Sequence, residues 1–224
     1  MEGSPGLKLN PHESTRREQG LLILVIIIFH VVGLIGFAVP SMRPLFLQIV
    51  PWHILLMLVL IICSHRPMEG KFILFALLIF ISSIFVEWLG VHKHWIFGDY
   101  SYGQTLGLKI DEIPLIIGVN WFLLIYSAGV LMQRTRIRSI LIRVIVGAII
   151  LVLLDLIIEP VAQHFDYWHW ANNIVPIKNY ACWFLAGGVM LFVFEKFGFR
   201  KQSIVAPVFL LVQFVFFLVL CFFC

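Results

Sequence analysis

Charge is scarce in this chain. Only 12% of its 224 residues are charged, while 61% are hydrophobic. Soluble domains carry about 25% charged residues, so a soluble globular domain of any size is excluded. Cysteine offers no chemistry either: Cys63, Cys182, Cys221 and Cys224 lie within or at the ends of apolar segments, without metal or disulfide spacing. A phosphate-cradling loop, a dinucleotide motif and a Ser or Cys nucleophile with a placed base are all missing. The basic residues sit at helix ends and line no single face, so nucleic acid is not an expected partner. The first apolar run, Leu21 to Val39, is too long for a signal peptide and has no small-residue cleavage site. It reads as a retained helix, opened by the capping-box spacing of Thr15-Arg16-Arg17-Glu18.

Long apolar runs dominate what remains. A spanning helix needs about 20 mostly apolar residues. Seven segments qualify, at about 20–39, 45–63, 71–91, 113–132, 139–159, 179–197 and 204–223. The expected fold is all-α: a polytopic membrane bundle of about seven transmembrane helices, with an N-terminal tail over 1–19 and one transmembrane domain over 20–224. Pro40, Pro44, Pro67, Pro114 and Pro160 fall at segment boundaries. The N-tail and the 64–71, 133–143 and 196–201 loops hold twelve Lys and Arg residues, against four on the other side. That asymmetry predicts a cytoplasmic N-terminus in a multi-pass protein of the cell inner membrane. Counting acids too, the inner side sums to +7 and the outer to −3. The long loops, about 92–112 and 160–178, then face outward and are rich in Trp, Tyr, His, Asp and Gly. The active site is therefore expected toward the outer leaflet.

The two hairpins that carry these loops, helices 3–4 and 5–6, resemble each other. Glu87, Phe97-Gly98-Asp99-Tyr100-Ser101-Tyr102, Ile113-Pro114 and Asn120-Trp121 match, in order, Glu159, Phe165-Asp166-Tyr167-Trp168-His169-Trp170, Val175-Pro176 and Asn179-Tyr180. An internal duplication is one reading; convergence of interfacial loops on aromatics is the other.

Carboxylates near hydrocarbon are costly and point to function. Asp155 and Glu159 are four apart, so both leave one face of a helix. Glu87 lies at the same depth, with Ser82 and Ser83 a turn below it, and Asn120 and Asn179 bring amides from two further helices. The competing readings are snorkelling acids and amide glue between helices. His30 reads as a satisfied bundle histidine. The His92-Lys93-His94 run with His164 and His169 is too loosely spaced for a metal site, so no metal is expected. Trp88, Tyr100, Tyr102, Trp121, Trp168, Trp170, Tyr180 and Trp183 exceed what an aromatic belt needs and are expected to bind substrate, holding a transient carbocation against ring faces. Carboxyls in low dielectric favour the protonated form, and a protonated acid beside an ionised one makes an acid–base pair. Protonation of a terminal isoprenoid alkene, completed by water or by an internal alkene, is the natural reaction.

The strings Glu87-Trp88-Leu89-Gly90, Phe97 to Tyr102, Leu106-Gly107, Pro114, Asn120-Trp121, Asp155 to Pro160, Trp168-His169-Trp170, Ile174-Val175-Pro176 and Asn179 to Trp183 resemble the carotenoid biosynthesis family of integral-membrane hydratases, over about residues 80–195. The pair Asp111-Glu112 before Pro114 departs from that pattern. The resemblance implies cofactor-independent addition of water to the terminal C1–C2 double bond of an acyclic carotenoid end of lycopene or γ-carotene type. It implies a carotenoid taken from the lipid phase, with other carotenoid-pathway enzymes as candidate partners. Glu87, Asn120, Asp155 and Asn179 fit the family's polar pattern. Either Glu87 or Asp155 would donate the proton while the other orients or deprotonates water. Glu159 would support Asp155, and Asn120 and Asn179 would hold water. A small integral-membrane lycopene cyclase shares the first step; a carotenoid-binding or transport protein would do no chemistry.

Overall fold

The computed structural model describes residues 11–224, with side chains from Arg16 onward. Seven helices are long and apolar enough to cross a membrane, which makes this a multi-pass membrane protein. They are α1 (Pro11–Ala38), α2 (Arg43–Ser64), α3 (Gly70–Lys93), α4 (Leu115–Gln133), α5 (Ile140–His164), α6 (Ile177–Phe197) and α7 (Val205–Leu220). Short strands β1 (Tyr100–Tyr102), β2 (Lys109–Ile110), β3 (Ile113–Pro114) and β4 (Trp168–Trp170) occupy the two long loops.

Two boundaries differ from the sequence reading. Helix α1 opens at Pro11, where a proline suits the first helical turn, so Thr15 sits inside the helix and does not cap it. The Thr15 side chain, and residues 1–10 of the expected tail, lie outside the described residues. Helix α5 runs through Pro160 to His164. The ring removes one helical hydrogen bond; burial of Val161 and Ala162, and the bonds Phe165 N to Val161 O and Tyr167 N to Ala162 O, carry the helix one turn further. Glu159 is thereby set a turn inside the helix end. Pro51 likewise lies inside α2, so the prolines are not all at helix ends.

Helix α4 forms the axis of the bundle. Within its apolar window 78% of residues are buried, against 22–39% in the other six spans. It carries no charged residue and is apolar all round, the pattern of a helix packed on every side. Helices α2, α3, α5, α6 and α7 all pack against it, and α1 closes the ring against α2 and α7. Close approach depends on small residues: a Cβ at Gly129 would stand 2.5 Å from the ring of Phe194 on α6.

The loops fold back over one end of this bundle. Strands β2 and β3 form a hairpin whose turn, Asp111-Glu112, takes positive φ at both residues (48° and 65°), the geometry of a tight two-residue turn. Strands β1 and β4, from different loops, pair antiparallel. The two aromatic loop motifs therefore meet as one ribbon. Gly103 N to Tyr167 O and Ala171 N to Asp99 O, both 2.9 Å, extend the ladder at each end.

Gly129→Ala forces its methyl into a fully buried ring and should destabilise the protein by about 1–3 kcal/mol. Thermal melting in detergent should show a clear drop for this variant and none for Gly20→Ala, where a Cβ meets nothing within 4 Å.

Candidate active site

Side chains alternate along a strand, and the ribbon uses that alternation. In β1, Tyr100 and Tyr102 turn toward the bundle while Ser101 is exposed; in β4, Trp168 and Trp170 turn inward while His169 is exposed. Register pairs Tyr100 with Trp170 and Tyr102 with Trp168. Four aromatic side chains with polar tips thus project from one face onto the ends of α3 and α5.

Each strand serves one carboxylate. The Tyr100 and Tyr102 hydroxyls donate to Glu87 Oε2 at 2.6 and 2.7 Å. Trp121 Nε1, from α4, donates to Glu87 Oε1 at 2.9 Å. On the other side, Trp170 and Trp168 indoles donate to Glu159 Oε2 at 2.7 and 3.0 Å. Asn179 Nδ2, at the start of α6, donates to Glu159 Oε1 at 3.1 Å and to Asp155 Oδ2 at 2.8 Å. Glu87, Asp155, Glu159 and Asn179 are all at most 4% exposed. Both oxygens of Glu87 and of Glu159 are satisfied. Asp155 Oδ1 is buried and has no hydrogen-bond partner among the described residues.

Local sequence explains the reach of these groups. Gly90 lies one helical turn beyond Glu87 on α3, and a Cβ there would stand 2.6 Å from the Tyr100 hydroxyl oxygen. Glycine lets the phenol lie across the helix and meet the carboxylate. Burial, with the Glu87 carboxylate beside them, pushes the Tyr100 and Tyr102 hydroxyls well above the ordinary tyrosine range. Both therefore stay protonated and remain donors.

Two cavities adjoin the cluster. A small one of about 30 Å³ is lined by Glu87, Glu159, Asn179, Tyr100, Tyr102 and Trp183 among others, enough for a water molecule. Trp183 stacks on Trp121 with ring centroids 4.3 Å apart. A larger cavity of about 400 Å³ lies among α1, α2, α4, α5 and α7 and is mostly apolar. Ile117 and Trp168 line both.

The structure brings Glu87, Asp155, Glu159, Asn179, Tyr100, Tyr102, Trp121, Trp168, Trp170 and Trp183 together. It separates three others. Asn120 lines the large cavity. The Trp88 indole turns to the loop, donating to Asp111 Oδ2 at 2.7 Å and stacking on His92. Tyr180 follows Asn179 on α6 and makes no hydrogen bond to a carboxyl among the described residues. Ser83 bonds its own helix at Phe80 O. Asp99 and Asp111 are exposed loop residues and Asp166 a half-buried one, each facing a histidine: His94, His92 and His169 respectively. Sequence reasoning treated the ribbon aromatics as walls and missed that four of them are donors to carboxylates. The alternations Tyr-Ser-Tyr and Trp-His-Trp signal two short strands with their aromatics on one face, but not what that face meets. It also passed over Gln213, the one amide on α7, which lines the large cavity.

Comparison with known proteins places the chain in a family. No solved structure matches the chain. Bisanhydrobacterioruberin hydratase of Haloarcula japonica is 29% identical over 126 residues, 53% of this chain and 43% of that protein. The match thus spans less than half the length of that relative. The family model described as "Carotenoid biosynthesis protein" matches residues 46–224, which takes in every carboxyl, ribbon strand and helix of the site. The chain belongs to the carotenoid biosynthesis protein family.

Proposed function

We propose that this protein adds water to the terminal double bond of an acyclic carotenoid end group, by acid catalysis and through a tertiary carbocation. The observation that carries the proposal is the asymmetry among three buried carboxyls. Glu87 and Glu159 have every oxygen engaged by donors, while Asp155 keeps one oxygen free. Two ionised carboxyls one helical turn apart in a dry site repel, so Asp155 and Glu159 hold one proton between them.

Asp155, with its unpartnered oxygen, carries that proton and passes it through Glu159, which lines the small cavity, to the CH carbon of the alkene. The π electrons form the new C–H bond and leave a tertiary cation on the neighbouring carbon. The Glu87 carboxylate and the stacked Trp121–Trp183 pair face this charge. Water held at Asn179 Oδ1, which accepts no hydrogen bond from the described residues, forms the new C–O bond. Its released proton returns to the Asp155–Glu159 pair. One π bond and one O–H bond break, one C–H and one C–O bond form, and the protein is unchanged. The polyene itself lies in the apolar cavity beyond Trp168, reached from lipid.

The basic ends of the helices support an orientation for this site. Arg66, Arg134, Arg136, Arg138 and Arg200 lie at the end of the bundle opposite the ribbon. By the positive-inside tendency that end, with the start of α1, faces the cytoplasm, and the acid site opens toward the outer leaflet of the inner membrane.

Membranes containing the protein and lycopene should yield a product heavier by one water; in heavy water, one carbon-bound deuterium should appear beside the new hydroxyl. A ring product of unchanged mass would contradict the proposal. Asp155→Asn should lower turnover by about 10²–10⁴-fold while the protein still folds. Tyr100→Phe combined with Tyr102→Phe strips both donors from Glu87 Oε2 and should also slow turnover. Trp88→Phe, whose indole faces the loop, should stay near the wild-type rate in the same assay.

A further inference from the structure

The large cavity has a polar station of its own, apart from the carboxyls. Its walls are apolar, built from residues such as Phe37, Phe46, Val50, Met57 and Phe216. His30 on α1, His53 on α2 and Gln213 on α7 interrupt them. His30 Nδ1 lies 2.7 Å from the Ile26 carbonyl oxygen. That oxygen can only accept, so Nδ1 carries the proton and Nε2 is an acceptor. Gln213 Nε2 lies 2.9 Å from His30 Nε2 and donates to it. The amide is thereby oriented, and its Oε1 is left with no partner among the described residues. The His53 ring stands edge-on to His30 with centroids 4.7 Å apart. Neither nitrogen of His53 has a hydrogen-bond partner among the described residues.

A free amide oxygen and an imidazole that offers one donor and one acceptor, both adjoining His30 and both lining the cavity, match a single hydroxyl. The hydroxyl donates to Gln213 Oε1 and accepts from His53. A hydrocarbon in the same place leaves both groups desolvated and unpaired, which is costly. The exposed side chains of Phe29, Ile49 and Trp52 mark an opening toward lipid between α1 and α2. At the opposite wall the cavity meets Trp168, which it shares with the acid pocket.

We infer that this cavity binds an isoprenoid alcohol, its hydroxyl seated between His53 and Gln213 and its chain directed toward Trp168. The choice of an isoprenoid chain rests on the hydration reading above; the preference for an alcohol rests on the hydrogen-bond geometry of the station alone. The cavity thus admits a hydrocarbon chain but holds more tightly one that bears a hydroxyl at the end away from the acid pocket.

The test is equilibrium binding of labelled geranylgeraniol to the purified protein in nanodiscs, competed by the hydrocarbon of the same skeleton. The alcohol should bind about tenfold more tightly than the hydrocarbon. Gln213→Met and His53→Phe should each reduce that ratio while hydrocarbon affinity holds, which reports an intact cavity. Equal affinities on the wild-type protein, or a ratio preserved in both variants, would overturn the inference. The assay involves no turnover, so its failure and a failure of the hydration assay are separate outcomes.

Discussion

A carboxyl held inside an apolar bundle must find its hydrogen-bond donors there. Most of the loop architecture follows from that requirement. Glu87 and Glu159 each accept three hydrogen bonds, and four of those six come from one face of the two-stranded ribbon. The donors are phenols and indoles, groups that bury a large apolar body while presenting one polar tip. They satisfy the carboxylates without admitting bulk water. The ribbon in turn owes its position to those bonds, since its strands come from separate loops and are only three residues long. Cap and carboxylates are one construction.

The bundle beneath supplies depth and direction. Helix α4, buried all round, places Trp121 against Glu87 and stacks it on Trp183 of α6. Continuation of α5 through Pro160 sets Glu159 a turn below the helix end, where both Trp168 and Trp170 can reach it. Residues Ile117 and Trp168 form a partition, with acids and room for a water molecule on one side and a long apolar chamber on the other. That division suits a reaction that needs one water at one end of an apolar molecule. It also separates two kinds of polar group: carboxyls where charge would develop, and the His30, His53, Asn120 and Gln213 side chains in the chamber where an uncharged hydroxyl would rest.

Much of this was legible in the sequence, for identifiable reasons. Seven apolar runs bounded by polar loops gave all seven helices, most ends to within about three residues, because a membrane fixes their length; α1 starts nine residues upstream of its apolar run and α5 ends five residues beyond its own. The i,i+4 spacing of Asp155 and Glu159 placed both on one helical face. The family resemblance, carried by strings around Glu87, Asn120, Asp155 and Asn179, was matched by a family model over residues 46–224. What stayed hidden depended on tertiary pairing. Nothing local in Tyr100-Ser101-Tyr102 says that it will pair with Trp168-His169-Trp170, so the aromatics read as walls when they are also donors. Trp88 sits next to Glu87 in sequence yet points to Asp111, because adjacent helical residues face about 100° apart. Gln213 and His30 are 183 residues apart, and only the packing of α1 against α7 joins them.

The protonation of the Asp155–Glu159 pair is the point on which the chemistry turns, and infrared spectroscopy reads it directly. The purified protein at neutral pH should show the carbonyl stretch of a protonated carboxylic acid, and Asp155→Asn should abolish it. A wild-type spectrum with no protonated carboxyl band, or a band unchanged in Asp155→Asn, would contradict a proton stored at this pair.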